Sequence, residues 1–293
     1  MKKSHYIGRF APSPSGPLHF GSLVAALGSY LQAKSCGGKW LVRVEDIDPP
    51  REVPGSADAI LRTLEAYQLH WDGRVMYQSS RSEAYQSQID QWLSSGDAYY
   101  CQCTRRQIRD SGGIYRGTCR HRTLGPEGSG VRIQIDTPVT AFTDLRHGEI
   151  QLDAEFATED FIIKRRDNLF AYNLAVVLDD IEQGITEVVR GADMIEPTGR
   201  QLSLYQKLNA NNVSYLHLPL ALNSKGCKLS KQNHAPAIND ENPGPALEAA
   251  LAFLNVPIPA ALTGAPASEL LQLAIQHWDP SQLPTETEVI TAF

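Results

Sequence analysis

The feature that most constrains this chain is a strand–turn–helix unit at its start that is followed at once by a second. His5 to Ala11 reads as a strand, and Pro12 to Pro17 as a turn rich in Pro, Ser and Gly. Gly21 to Ala33 reads as a helix, with Leu23, Leu27, Tyr30 and Leu31 at helical spacing. Trp40 to Val44 is a second strand, ending in Glu45-Asp46, and Ser56 to Tyr67 a second amphipathic helix. Strand, helix, strand, helix implies a parallel sheet with right-handed crossovers, an α/β fold.

Further along, Val131 to Ile135 alternates as a strand does, and Phe161 to Lys164 and Ala171 to Leu178 have buried-strand composition. Pro197 to Leu208 reads as a helix and Leu216 to Leu222 as a last core strand. Two Ala/Leu helices, Ala246 to Leu254 and Ser268 to Trp278, close the chain. With 42% hydrophobic and 20% charged residues, a well-packed soluble chain is expected. No apolar run approaches the ~20 residues that span a bilayer. The charged N-terminus has no apolar stretch behind it, so no signal peptide and a cytoplasmic monomer are expected.

Two segments suit phosphate. Pro12-Ser13-Pro14-Ser15-Gly16-Pro17-Leu18-His19-Phe20-Gly21-Ser22 joins a strand to a helix, whose start offers free N–H groups and a positive dipole end. Gly16 suits a tight turn, Gly21 suits close approach of a ligand, and His19 can donate to a phosphoryl oxygen. Lys228-Leu229-Ser230-Lys231-Gln232 places two lysines three apart on a loop, where they can stabilise charge at an α-phosphate and a departing pyrophosphate. A lone His at a turn or a lone Lys-Ser-Lys loop is an ordinary surface feature; together they point to ATP.

Three of the five cysteines, Cys101, Cys103 and Cys119, crowd into one segment, while Cys36 and Cys227 stand apart. In a reducing compartment such a cluster suggests structural zinc. From coordination chemistry alone, His121 is the natural fourth ligand. The net charge of −6 argues against a general nucleic-acid binder, yet arginines gather at 105–122 and Lys164-Arg165-Arg166 adds a further cluster. These are the candidate guides for an RNA.

The two phosphate segments resemble the H-I-G-H and K-M-S-K-S signatures of class I aminoacyl-tRNA synthetases, with Ser22 in place of the second His. Arg9 to Gly16, Arg43 to Asp48, Tyr172 to Asp180, Val189 to Asp193 and Pro197 to Gln201 look like glutamyl-tRNA synthetase segments, in that family's order over residues 5 to 240. The resemblance implies a Rossmann-type catalytic domain and adenylate chemistry with ATP and Mg²⁺. His19, Lys228 and Lys231 would be catalytic, and His19, Gly21, Ser22 and Lys231 would contact ATP. It implies a glutamate pocket of Arg9, Ala11, Ser13, Glu45, Tyr172 and Arg190. An arginine fork suits the side-chain carboxylate and Glu45 the α-ammonium. It also places a tyrosine at Tyr115 as fourth zinc ligand, against His121.

The division expected is 1–98 and 140–235 as two halves of the catalytic domain, 99–139 as a zinc-containing insertion, and 236–293 as a short helical tail. A full glutamyl-tRNA synthetase continues into a large anticodon-reading domain. The chain as given therefore resembles more closely the shortened paralogues that transfer glutamate to the queuosine base in the anticodon loop of tRNA(Asp). A truncated synthetase charging a tRNA 3′ end and a catalytically silent RNA-binding paralogue are the alternatives.

Overall fold

The structure is a computed structural model and describes residues 6–229, 233 and 235–291. In chain order the elements are β1 (Ile7–Phe10), α1 (Phe20–Ser35), β2 (Lys39–Val44), α2 (Ser56–Ala66), β3 (Met76–Tyr77), α3 (Ser82–Ser95) and β4 (Ala98–Cys101). Next come α4 (Arg105–Asp110), β5 (Gly130–Ile133), β6 (Ala141–Asp144), β7 (Gly148–Gln151), α5 (Ala154–Thr158), β8 (Ile162–Lys164) and α6 (Tyr172–Glu182). The chain continues through β9 (Glu187–Gly191), α7 (Ile195–Lys207), β10 (Ser214–Leu218), β11 (Leu220–Leu222), α8 (Gly244–Phe253), α9 (Ala267–His277) and β12 (Glu288–Ile290).

Strands β1, β2 and β3 pair in parallel, with Gly8 opposite Trp40. A second sheet has the order β7-β6-β10-β9, with β10 parallel to both neighbours and β7 turning back as a hairpin. The sheets meet where the Thr186 N–H donates to the Ile7 carbonyl at 2.9 Å, which sets β9 beside β1. Strands buried on both faces need helices on both. One core joins Leu23, Leu27 and Leu31 of α1 to Leu247 and Leu251 of α8 and Leu270 of α9. The other joins Leu174 and Val177 of α6 to Leu204 of α7 and Ile89 of α3.

Three sequence expectations need correction. Ala171 to Leu178 is not a strand but the start of α6. Leu174, Ala175, Val176 and Val177 are all buried, and an apolar run covered on every side has no period that tells helix from strand. Leu216 to Leu222 is two strands rather than one: β10 stays in the large sheet, whereas β11 pairs with β12. The tail is consequently not wholly helical, because Glu288–Ile290 supplies that strand. Among the described residues no helix is long and apolar enough to cross a membrane.

Candidate active site and cysteine cluster

The parallel strands end on one side of the sheet, and β2 and β9 lie on opposite flanks of β1. Ligands of such folds bind beyond the carboxyl ends at this point of divergence. Arg9 lies on β1, Ala11 and Ser13 just past its end, Glu45 just past β2, Arg190 on β9, and Tyr172 opens α6. Glu45, Arg190 and Arg9 all act electrostatically on the Tyr172 hydroxyl, so the four converge.

Their buried charges are paired in advance. Arg9 donates from Nε and Nη2 to the Asp180 carboxylate at 3.0 and 3.3 Å. Arg43, fully buried, donates from Nη1 to the same Asp180 at 2.7 Å and to Gln183 at 2.8 Å. Burial alone would raise the Asp180 carboxyl, but Arg43 and Arg9 hold it below its ordinary range. One turn face further, Asp179 accepts from Gln78, Tyr85 and Arg81. With its inner N–H groups on Asp180, Arg9 keeps three donors of its five for a ligand carboxylate.

Glu45 is the exception to this pairing. Its Oε1 is buried without a hydrogen bond, and Arg43 Nη2 stands 3.6 Å away, also without one. Burial pushes the Glu45 carboxyl up to about 7, against the pull of Arg43 and Arg9. A buried, unsatisfied carboxylate is costly unless a ligand completes it, and an ammonium group has the right charge and donors.

Arg190 is held more fully still. Nε donates to His217 Nε2 at 3.3 Å, Nη1 to Gln201 at 2.8 Å, and Nη2 to Thr198 at 2.8 Å and the Met194 carbonyl at 3.2 Å. Among the described residues that leaves one N–H, on Nη1, uncommitted. A cavity of about 860 Å³ opens from this pocket. Its lining includes Ser13, Glu45, Asp48, Glu52, Tyr172, Cys103, Thr104 and Arg105, while Arg9 and Arg190 lie behind it. Glutamate fills only a fraction of such a volume, which is in the range of a drug-sized ligand site.

On the other side of β1, His19 caps α1. Its Nδ1 accepts from the Ser22 N–H at 3.2 Å, and Ser22 Oγ accepts from the His19 N–H at 3.4 Å, a reciprocal cap. A neutral His19 with Nδ1 accepting carries its proton on Nε2, the form that donates to a phosphoryl oxygen. Ser22 is thereby occupied in holding His19. Gly16, at φ 133°, makes the turn, its N–H donating to Ser56 Oγ at 2.9 Å. Gly21 is required by the chain itself: a Cβ there would stand 2.7 Å from the Leu229 carbonyl. That contact brings the lysine loop against the first motif. Lys228 pairs with Asp193 at 2.5 Å. Ser230, Lys231 and Gln232 lie outside the described residues.

The sulfur atoms of Cys101, Cys103 and Cys119 lie within 4.8 Å of one another, with Cys103 and Cys119 at 3.5 Å. Tyr115 is buried with its hydroxyl against them, accepting the Cys119 N–H at 2.8 Å. His121 is exposed and its ring is not part of the group. Arg132 donates to Cys101 Sγ at 3.3 Å and stacks on the Tyr115 ring at 3.7 Å. Burial and the adjoining sulfurs raise the Cys103 thiol, whereas hydrogen bonds from the Gln102 backbone and from Cys103 bring the Cys119 thiol below its ordinary value despite its burial. The donor set fits tetrahedral zinc. Cys36 and Cys227 are exposed and apart.

Sequence reasoning left Arg43, Asp180, His217, Asp144 and Arg132 without roles. Two adjacent acids, Asp179-Asp180, inside a buried apolar run were the available signal, since such acids require buried cations. Nothing local marks His217, which acquires its partners only through strand pairing.

Residues 7–244 match the family model described as tRNA synthetases class I (E and Q), catalytic domain. A Photobacterium profundum protein named glutamyl-Q tRNA(Asp) synthetase is 66% identical over 287 residues, covering 98% of this chain and 93% of its own. One of the same name from Vibrio parahaemolyticus is 61% identical, covering 99% and 98%. Among solved structures, a glutamate tRNA ligase from Elizabethkingia meningosepticum, in complex with its amino acid, superposes with TM-score 0.78 at 23% identity, over 96% of this chain and 66% of that one. The glutamate-tRNA synthetase of Elizabethkingia anophelis gives 0.80 at 23%, over 98% and 68%. These two share the fold, and this chain spans about two thirds of their length. The chain belongs to the class I tRNA synthetases of the E and Q type, a family of ligases, within the group whose members are named glutamyl-Q tRNA(Asp) synthetase.

Proposed function

We propose that this protein activates L-glutamate with ATP and transfers it to the queuosine base in the anticodon loop of tRNA(Asp). The observation that carries the reading is the convergence of Arg9, Arg190 and Glu45 at the ends of three neighbouring strands. Two guanidiniums face two carboxylates, and an unsatisfied carboxylate faces one ammonium. The acceptor rests on the names that the close, near full-length relatives carry.

In the first step an oxygen of the glutamate α-carboxylate attacks the α-phosphorus of ATP and pyrophosphate departs. His19 donates from Nε2 to a phosphoryl oxygen, and Lys228 and Lys231 neutralise charge on the leaving group, with Mg²⁺ arriving on ATP. In the second step a hydroxyl of the queuosine ring attacks the adenylate carbonyl, AMP leaves, and an ester forms. Ala11 and Ser13 border the amino acid, Gly21 and Ser22 the nucleotide, and Tyr172 lines the cavity beside Glu45. Cys101, Cys103, Cys119 and Tyr115 would hold a zinc ion, which would stiffen that segment beside the cavity. The rate enhancement comes from positioning and electrostatics, with no covalent enzyme intermediate.

Glutamate-dependent ATP–pyrophosphate exchange, measured without tRNA, tests this reading. Exchange with glutamate but not with aspartate or glutamine is expected. Exchange only after adding tRNA points instead to a 3′-charging enzyme, and no exchange under either condition points to a silent RNA-binding paralogue.

A further inference from the structure

We propose that His217, fixed by Asp144, is a positioning residue for the amino-acid pocket: it sets the direction in which Arg190 presents its free N–H. This rests on the assignment of Arg190 to a glutamate carboxylate. The strand register makes the pair, since His217 of β10 lies directly opposite Arg190 of β9. A guanidinium only donates, so His217 Nε2, 3.3 Å from Arg190 Nε, must accept. The ring is then neutral with its proton on Nδ1, which donates to Asp144 Oδ2 at 2.8 Å.

The alternative partners do not change that assignment. Thr198 Oγ1, 3.4 Å from Nε2, spends its own proton on the Met194 carbonyl at 2.8 Å. Asp144 cannot turn away, because it also accepts the backbone N–H groups of His217, Arg146 and His147 at 3.0, 2.9 and 3.0 Å. Both side chains are buried, at 0% and 1% exposure. The ring lies flat on Tyr215, whose own ring underlies the Arg190 guanidinium at 5.0 Å. Burial pulls His217 below its ordinary pKa; Asp144 opposes this and Arg190 adds to it. The other anchors of Arg190, namely Met194, Thr198 and Gln201, all come from α7 and the turn before it. They hold the Nη end. Among the described residues only His217 accepts from Nε, and that contact adds the restraint from the β10 side to those that α7 places on the Nη groups.

The test is tRNA-free, glutamate-dependent ATP–pyrophosphate exchange on the full chain, comparing His217→Leu, His217→Gln and Arg190→Met. His217→Leu is expected to raise the glutamate KM about tenfold or more, as loss of a hydrogen bond to a charged group does, with the ATP KM unchanged. His217→Gln, whose carboxamide oxygen can accept from Nε, should recover most of that. A His217→Leu enzyme that loses kcat while keeping its glutamate KM overturns the proposal and leaves His217 a packing residue. An Arg190→Met enzyme with a normal glutamate KM shows instead that the pocket assignment is wrong. Should His217→Leu fail to fold, the ring ¹⁵N spectrum of the unaltered protein decides. A pyridine-like Nε2 and protonated Nδ1 support the proposal, and a proton on Nε2 refutes it.

Discussion

The proposed amino-acid pocket and the cysteine cluster are both small polar sites beside one cavity, yet they are held in opposite ways. The pocket draws on elements of two large apolar cores, and its guanidiniums are anchored before any ligand arrives: Arg9 and Arg43 on Asp180, Arg190 on four neutral acceptors, with Glu45 the exception. The cluster has a core of only Tyr99, Cys101, Tyr115 and Cys119, with Cys103, Ile108 and Leu124 partly covered. It is fastened to the body by polar links, with Arg120 and Tyr99 on Asp160 and the Tyr115 N–H on Glu159. The pocket residues are thus held by the two large cores, and the cluster has a donor set that a metal ion would complete. That difference teaches which perturbations should stay local and which should not.

The largest expected effect lies in the pocket. Asp180→Ala leaves two buried guanidiniums without their shared anion, a loss of about 3–5 kcal/mol of stability by analogy with broken buried pairs. Urea unfolding measures it. A loss under about 1 kcal/mol would show that the pocket is not prepaired as described. Cys101→Ser, or zinc chelation, should by contrast abolish transfer to tRNA while sparing most tRNA-free exchange. If chelation unfolds the whole chain, the cluster is not locally held.

A middle-sized effect concerns the fork. Arg9→Lys keeps the charge but not the geometry, and should raise the glutamate KM roughly thirtyfold, about 2 kcal/mol, with little change for ATP. An unchanged KM would remove Arg9 from carboxylate recognition.

Acidity separates the two regions more gently. The Glu45 carboxyl, raised to about 7 in the folded chain, is mostly protonated below that value and ionised above it. Its contribution to stability is complete below its ordinary pKa and is lost as pH rises through about 7. Ammonium binding needs the ionised form, so the glutamate KM should fall about tenfold between pH 6 and pH 8 and then level off. A Glu45→Gln enzyme should lack this limb; a flat profile in the unaltered enzyme counts against the assignment. The smallest effect is a ranking within the cluster: Tyr115→Phe should lower zinc retention more than His121→Ala, read by metal content after dialysis, and the reverse order would restore His121.

Much of this was legible in the sequence because it is local. The turn and helix start around Gly16 and Gly21, the parallel order of β1 and β2, and the cysteine crowding all follow from near neighbours, whereas the reciprocal cap of His19 and Ser22 was not read. The helix α6 was not legible, since burial on every side erased its period. Nor was the path from Asp144 through His217 to Arg190, whose members are up to 73 positions apart and meet only through strand register. The supports of the site, rather than the residues proposed to meet the ligand, are what a sequence conceals.

Transfer of glutamate to a modified anticodon base is tested by following radiolabelled glutamate onto tRNA. Label should reach queuosine-containing tRNA(Asp), fail to reach the same tRNA with unmodified guanosine, and persist when the 3′-terminal adenosine is removed. Label on tRNA(Glu) that is lost with its terminal adenosine would contradict the account.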